Sequence, residues 1–109
     1  MDTITAFNNI EMRVGTIIRA EVFKEVKMPA YKLWINFGDF GIKKTSAQVT
    51  ALYNVEELMG KQVVAVVNFE PKQIANFMSE CLILGAVGDN NLVTLLSVDK
   101  PVENGLRVS

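Results

Sequence analysis

From Arg13 to Phe23 polar and apolar residues alternate, and that period restricts the stretch to one kind of structure. Val14, Thr16, Ile18, Ala20 and Val22 share one parity; Arg13, Gly15, Arg19 and Glu21 share the other. Successive side chains of a β-strand point to opposite faces, so period-two alternation with β-branched residues predicts a half-buried strand, the first set facing the core. The period returns from Lys32 to Phe37, with Leu33, Ile35 and Phe37 on one face and Lys32, Trp34 and Asn36 on the other. Between the two, Pro29 marks a loop or bulge, because it cannot donate to a ladder. Gly38-Asp39-Phe40-Gly41 then reads as a hairpin turn into a third strand, from Ile42 toward Ala47.

The rest of the chain adds one short helix and more strands. Asn54 can cap a helix with Glu57 in the capping-box position, ending at Gly60. Gln62 to Phe69 is nearly continuous Val and Ala, which predicts a strand buried on both faces. A small barrel covers only one of those faces, so the other needs a cover, and a partner subunit is one candidate. Pro71 ends that strand. Cys81 to Ala86 reads as an apolar strand, Asp89-Asn90-Asn91 as a turn, and Leu92 to Leu96 as its hairpin partner. Pro101 and Asn104-Gly105 precede a last stretch from Leu106 to Val108. Ahead of it all, Thr3 to Ile10 is one turn of helix or an extended lead-in that lays Phe7 on the core. This order suits an all-β, five-stranded Greek-key barrel of the OB-fold kind, with one short helix and terminal extensions. Pattern alone leaves other small barrels and sandwiches open.

At 109 residues, one domain spanning 1–109 is expected. The longest aliphatic run, Val63 to Val67, is far below the roughly 18 residues of a membrane span. The N-terminus shows no basic segment followed by an apolar run, and the one cysteine, Cys81, cannot form an internal disulfide. A soluble cytoplasmic protein without membrane insertion is expected. There is no histidine for base work and no His/Cys cluster for zinc, so neither catalysis, metal nor cofactor is expected. Cys81 opens an apolar run and reads as structural. Glu56 and Glu57 fall in the first turn of the short helix, where the dipole favours negative charge. Net charge is −1, so any nucleic-acid binding must rest on a local patch.

Two segments carry a family resemblance. Ile10-Glu11-Met12-Arg13-Val14-Gly15 resembles the opening of the bacterial tRNA-binding domain, which also occurs appended to aminoacyl-tRNA synthetases. Val66-Val67-Asn68-Phe69-Glu70-Pro71-Lys72-Gln73-Ile74, followed by Phe77-Met78-Ser79-Glu80-Cys81-Leu82, resembles a second stretch of that family. Ser46-Ala47-Gln48-Val49 and Asn68-Phe69 are similar to its CsaA subgroup. The resemblance implies an OB-fold, a homodimer, tRNA binding and, for the subgroup, a chaperone role on unfolded, export-bound polypeptides. A dedicated tRNA-binding protein or synthetase accessory factor is the alternative. The chain departs from the family where Lys72-Gln73 replaces two basic residues, and where Asn76 stands for a glycine. Asn tolerates a left-handed backbone better than most residues, so the turn is expected to survive the change.

The candidate nucleic-acid-binding residues are Arg19, Lys43, Lys44, Ser46, Asn68, Lys72, Gln73 and Ser79. Lysines and strand-end polar groups can meet phosphates and base edges. Lys43 and Lys44 must point to opposite faces. Against this, the lysines can simply protect a sheet edge, and Asn68 and Ser79 can satisfy loop backbone. Candidates for peptide binding or dimer contact are Trp34, Phe69, Ile74, Phe77 and Met78. Trp34 can stack a base or meet a partner, or cover a barrel edge beneath the N-terminal segment. Three large apolar groups in the loop at Ile74, Phe77 and Met78 have to pack on something: a peptide, a second subunit or the barrel end.

Overall fold

The computed structural model describes residues 1–109. Helix α1 (Thr3–Asn8) is capped by Asp2, whose carboxylate accepts from the Thr5 N–H at 2.7 Å. That bond holds the Asp2 carboxyl below its ordinary value. No residue of α1 is buried, so Phe7 does not reach the core. The strands fill the barrel by themselves and leave this helix outside.

Strand β1 (Met12–Val22) pairs antiparallel with β2 (Tyr31–Asn36), and β2 with β3 (Ile42–Ala47) through a 3-10 turn at Gly38–Phe40. Helix α2 (Val55–Leu58) follows. The Glu57 N–H donates to the Asn54 side chain and the Asn54 N–H to the Glu57 carboxylate, both at 2.7 Å. This reciprocal cap holds a helix too short to persist alone, and Leu58 anchors it in the core. Strand β4 (Gln62–Val66) returns to pair with β1. Next come a hairpin of β5 (Lys72–Ile74) and β6 (Phe77–Ser79), then β7 (Leu82–Ile83) against β4. A second hairpin joins β8 (Gly85–Val87) to β9 (Val93–Leu95), and β10 (Arg107–Val108) ends on β1. The strand order β3-β2-β1-β4-β7, with α2 between β3 and β4, is that of the OB-fold barrel.

The two ends of this order, β3 and β7, meet without a ladder. Side chains stitch them instead. Thr45 Oγ1 donates to the Cys81 carbonyl at 2.7 Å and lies 3.0 Å from Ser79 Oγ. Glu80 accepts from the Lys44 N–H at 3.0 Å and returns its own N–H to the Lys44 carbonyl at 2.7 Å. The Ser79-Glu80 step of the family-like second segment is thus the seam of the barrel.

The core holds Ile17, Leu33, Ile35, Phe37, Val63 and Ala65, all fully buried. The face predicted for β2 is therefore correct. The face predicted for β1 is correct only in part, because the register with β2 shifts between Ile17 and Arg19. A bulge adds a residue and inverts the parity beyond it. Before it, Gly15 and Ile17 face inward; after it, Ala20 does, paired with Leu33. Ile18 is left exposed. Gly15 cannot carry a side chain, since a Cβ there would meet Ile35 Cγ2 at 2.6 Å and the Phe37 ring at 2.7 Å.

Three further expectations change. Val63 to Val66 is buried on both faces as predicted, but within a single chain, so the run makes no demand for a partner. The strand expected from Cys81 to Ala86 breaks at Leu84, whose N–H donates to the Val64 carbonyl while its own carbonyl accepts from Leu96. And the segment read as a loop after Pro71 is a hairpin whose left-handed residue is Ala75, with φ of 51°, not Asn76.

Candidate functional site

The β5–β6 hairpin folds over the edge of β3 onto the outer face of β2. Its register places Lys72, Ile74, Phe77 and Ser79 on one face and Gln73 and Met78 on the other. The first face builds the site. Phe77 is 6% exposed and packs edge-on against Phe23, centroids 5.4 Å apart, and against Trp34 at 5.8 Å. Ala30, Val26 and Ile74 complete this small second core. Trp34 therefore lies beneath the hairpin and not beneath the N-terminal segment.

Cations ring the cluster. The Arg19 guanidinium sits 4.4 Å from the Trp34 centroid and is ion-paired to Glu21. Lys32 Nζ lies 5.1 Å from the Phe23 centroid, and Lys44 Nζ lies 5.1 Å from that of Phe77. Each cation meets the negative face of a ring. Lys32, which the sequence placed beside Trp34 without assigning it a role, belongs to this face; its parity with Trp34 was the available signal. Lys43 takes the opposite parity, paired with Ile35 on the interior side.

Beside the cluster, between β3, β5–β6 and β7, lies a cleft of about 570 Å³. Phe69, Ile74 and Leu82 form its apolar wall; Ser46, Glu70, Lys72 and Ser79 form its polar rim. Thr45 and Cys81 close it from the barrel side. Burial pushes the Cys81 thiol up to about 12, partly offset by the Lys43 charge and reinforced by Glu80. Burial thus favours the protonated thiol, the less nucleophilic form, at ordinary pH. A second groove of about 340 Å³ continues from the cleft, sharing Ser46 and Leu82, along Ala47, Val49, Leu84 and Val87. Glu70, Leu82 and Val87 were not anticipated: the breaks in pairing that expose them leave no mark in the residue pattern.

The predicted residues thus separate into groups. Arg19, Lys44, Trp34 and Phe77 converge on the aromatic face. Ser46, Phe69, Lys72, Ile74 and Ser79 converge on the cleft, Ser79 with its hydroxyl engaged at the seam. Phe77 is buried too deeply to be a contact surface for a ligand. Gln73 and Met78 point away, Gln73 Nε2 donating to the Ala75 carbonyl at 2.8 Å. Asn68 stands apart and performs the backbone role: it accepts from the Glu11 N–H at 3.0 Å and donates to the Asn9 carbonyl at 2.7 Å. No group of three or more His, Cys, Asp or Glu is arranged to hold a metal ion, and no helix is long and apolar enough to cross a membrane.

An OB barrel with a cleft at the hairpin between its last two barrel strands and cations about the β2–β3 face defines a binding domain of the oligonucleotide-binding architecture. Residues 12–107 match the family described as "Putative tRNA binding domain", and the chain belongs to that family. Two methionine–tRNA ligases are similar: that of Methanocella arvoryzae is 36% identical over 106 residues, and that of Methanocaldococcus jannaschii 33% over 105. These alignments cover 97% and 96% of this chain but only 15% and 16% of the ligases. Among solved structures, the chaperone CsaA of Bacillus anthracis aligns with a TM-score of 0.95 at 46% identity, covering 100% of this chain and 99% of that one. The CsaA chaperone of Picrophilus torridus aligns at 0.92 and 49% identity, covering 100% of both. A MetRS-related protein of Pyrococcus horikoshii aligns at 0.88 and 28%, covering 100% of this chain and 98% of that one.

Proposed function

We propose that this chain is a cytoplasmic chaperone of the CsaA kind, a homodimer that holds apolar stretches of unfolded, export-bound polypeptides and catalyses no reaction. The observation that carries the reading is the apolar groove running from Leu82 to Val87, with Leu82 and Val87 exposed at its ends. An extended apolar segment could lie there, and the likeness to the two CsaA chaperones over the whole chain supports it. Homodimerisation draws support from the exposed apolar surface of the lead-in, Ile4, Phe7 and Ile10. The test is suppression of aggregation of a chemically denatured client. Wild type at a few-fold excess should suppress it, and Val87→Ser combined with Leu82→Ser should not. Both residues are solvent-exposed, so the variant should still fold. Absence of suppression by the wild type would overturn the reading.

A second reading, tRNA binding, is favoured by the family match and by the cations at Arg19, Lys32, Lys44 and Lys72. The two activities are compatible. Absence of any gel shift with bulk tRNA at low salt and micromolar dimer would remove the second.

A further inference from the structure

We propose that the cleft beside β3 accepts a single unstacked nucleotide, its base against Phe69 and its phosphate at Lys72. The inference deepens the RNA reading above and rests on it. The argument starts from the polar rim. Thr45 and Ser79 spend their hydroxyls on the barrel seam. By contrast the Ser46 hydroxyl, the Glu70 carboxylate and the Lys72 ammonium make no hydrogen bond or ion pair within the chain. An apolar side chain seated in the cleft would strip water from all three and return nothing. A nucleotide answers each of them: a phosphate for Lys72, a ribose or base group for Ser46, and an exocyclic amino group for Glu70, which as a carboxylate can only accept.

The apolar wall fits the same ligand. Phe69 is 53% exposed and lines the cleft, so its ring is free. The rings of Phe23 and Phe77 are buried, and Trp34 is covered by Arg19. Within this site, only Phe69 offers an open aromatic face, and base stacking on such a face is sequence-tolerant. The volume of about 570 Å³ suits a nucleotide-sized ligand. The neighbouring groove shares Ser46 but has neither Glu70 nor Lys72, so it carries no charged group for a nucleotide.

Trp34 is the sole tryptophan and shares a packing cluster with Ile74, which lines the cleft, so its emission reports occupancy. The probes are a pentamer of riboadenylate, one of ribouridylate and an abasic ribose-phosphate pentamer. The adenylate should bind at least tenfold more tightly than the abasic chain. Phe69→Ala should weaken adenylate by about tenfold and leave the abasic chain unchanged. Glu70→Gln should narrow the preference for adenylate over uridylate. Equal binding of adenylate and abasic pentamers, or no effect of Phe69→Ala on adenylate, would overturn the proposal. If Phe69→Ala abolishes client holding while adenylate binding stands, the cleft belongs to polypeptide and the proposal falls, with the chaperone reading intact. If tRNA still shifts but Phe69→Ala changes nothing, the nucleotide site alone is lost. If neither tRNA nor adenylate binds, both go.

Discussion

Thr45 is the one fully buried polar side chain, and it faces the core beside Leu33. A hydroxyl survives there because it donates to the Cys81 carbonyl across the open edge of the barrel. Thr45→Val keeps the shape and removes the donor, leaving the buried Cys81 carbonyl only the long 3.5 Å approach of Ser79 Oγ, at a cost of about 1–3 kcal/mol. Chemical denaturation should show that loss. Cys81 itself makes a pH prediction. Its thiol is raised to about 12 in the fold, against about 8.5 in an unfolded chain. The folded state therefore holds its proton more tightly. The stabilisation is complete below about pH 8.5 and declines as the pH rises toward 12. Urea midpoints between pH 8 and 10.5 should fall less steeply for Cys81→Ala than for wild type. That Cys81 is buried and structural was legible from its apolar neighbours. That Thr45 is the latch was not, since its partner is a backbone carbonyl 36 positions away. Arg13 was legible only as motif. In the structure its guanidinium lies 3.6 Å over the Phe40 centroid and donates to the Gly105 carbonyl at 2.7 Å, fastening the C-terminal segment to β1.

Among the elements, the inward face of β2 was readable throughout and that of β1 only in part, for one reason. Period-two reasoning holds while the ladder is regular; a single inserted residue at Ile17/Arg19 reverses it, and no local residue announces the insertion. The capped helix α2 was readable because its cap is local: Asn54 and Glu57 are three apart. The β5–β6 hairpin was hidden, because its strands are three residues each and its left-handed turn residue is Ala75, where glycine or asparagine would have been the signal. The hairpin is held down by Phe77. Phe77→Ala removes the hub of the second core but touches no residue of the main one. Expected is a loss of about 3 kcal/mol, at the low end for a buried Phe. Hydrogen exchange should show hairpin amides losing protection before those of β1, β2 and β4. Trp34 emission should shift to the red as its ring is wetted.

For the whole molecule, a net charge of −1 gives no hint of an anionic partner, because 12 acidic residues mask 11 basic ones. What the fold changes is their distribution. Arg19 is neutralised by Glu21, and Lys32 lies 3.9 Å from Glu25, but Lys44, over the Phe77 ring, and Lys72, on the cleft rim, form no ion pair, while Lys43 takes the interior side of β3. Sequence reasoning could name these lysines; only the hairpin beside β3 brings Lys72, far along the chain, into one cleft lining with Thr45 and Ser46. These two unpaired cations, each meeting about one phosphate, would release about two counterions, so the affinity for tRNA should fall with a log–log slope of about −1.8 per subunit. Between 50 and 200 mM salt that is a weakening of about 12-fold, and roughly its square if both subunits of a dimer engage one RNA. Binding of an apolar polypeptide releases few ions and should hold nearly constant over the same range. Titrations at several salt concentrations with tRNA and with an unfolded client, on wild type and Lys44→Ala, separate the two. The variant should flatten the tRNA slope by about one and leave the client curve where it was. A tRNA slope near zero would mean that the lysines only guard a sheet edge.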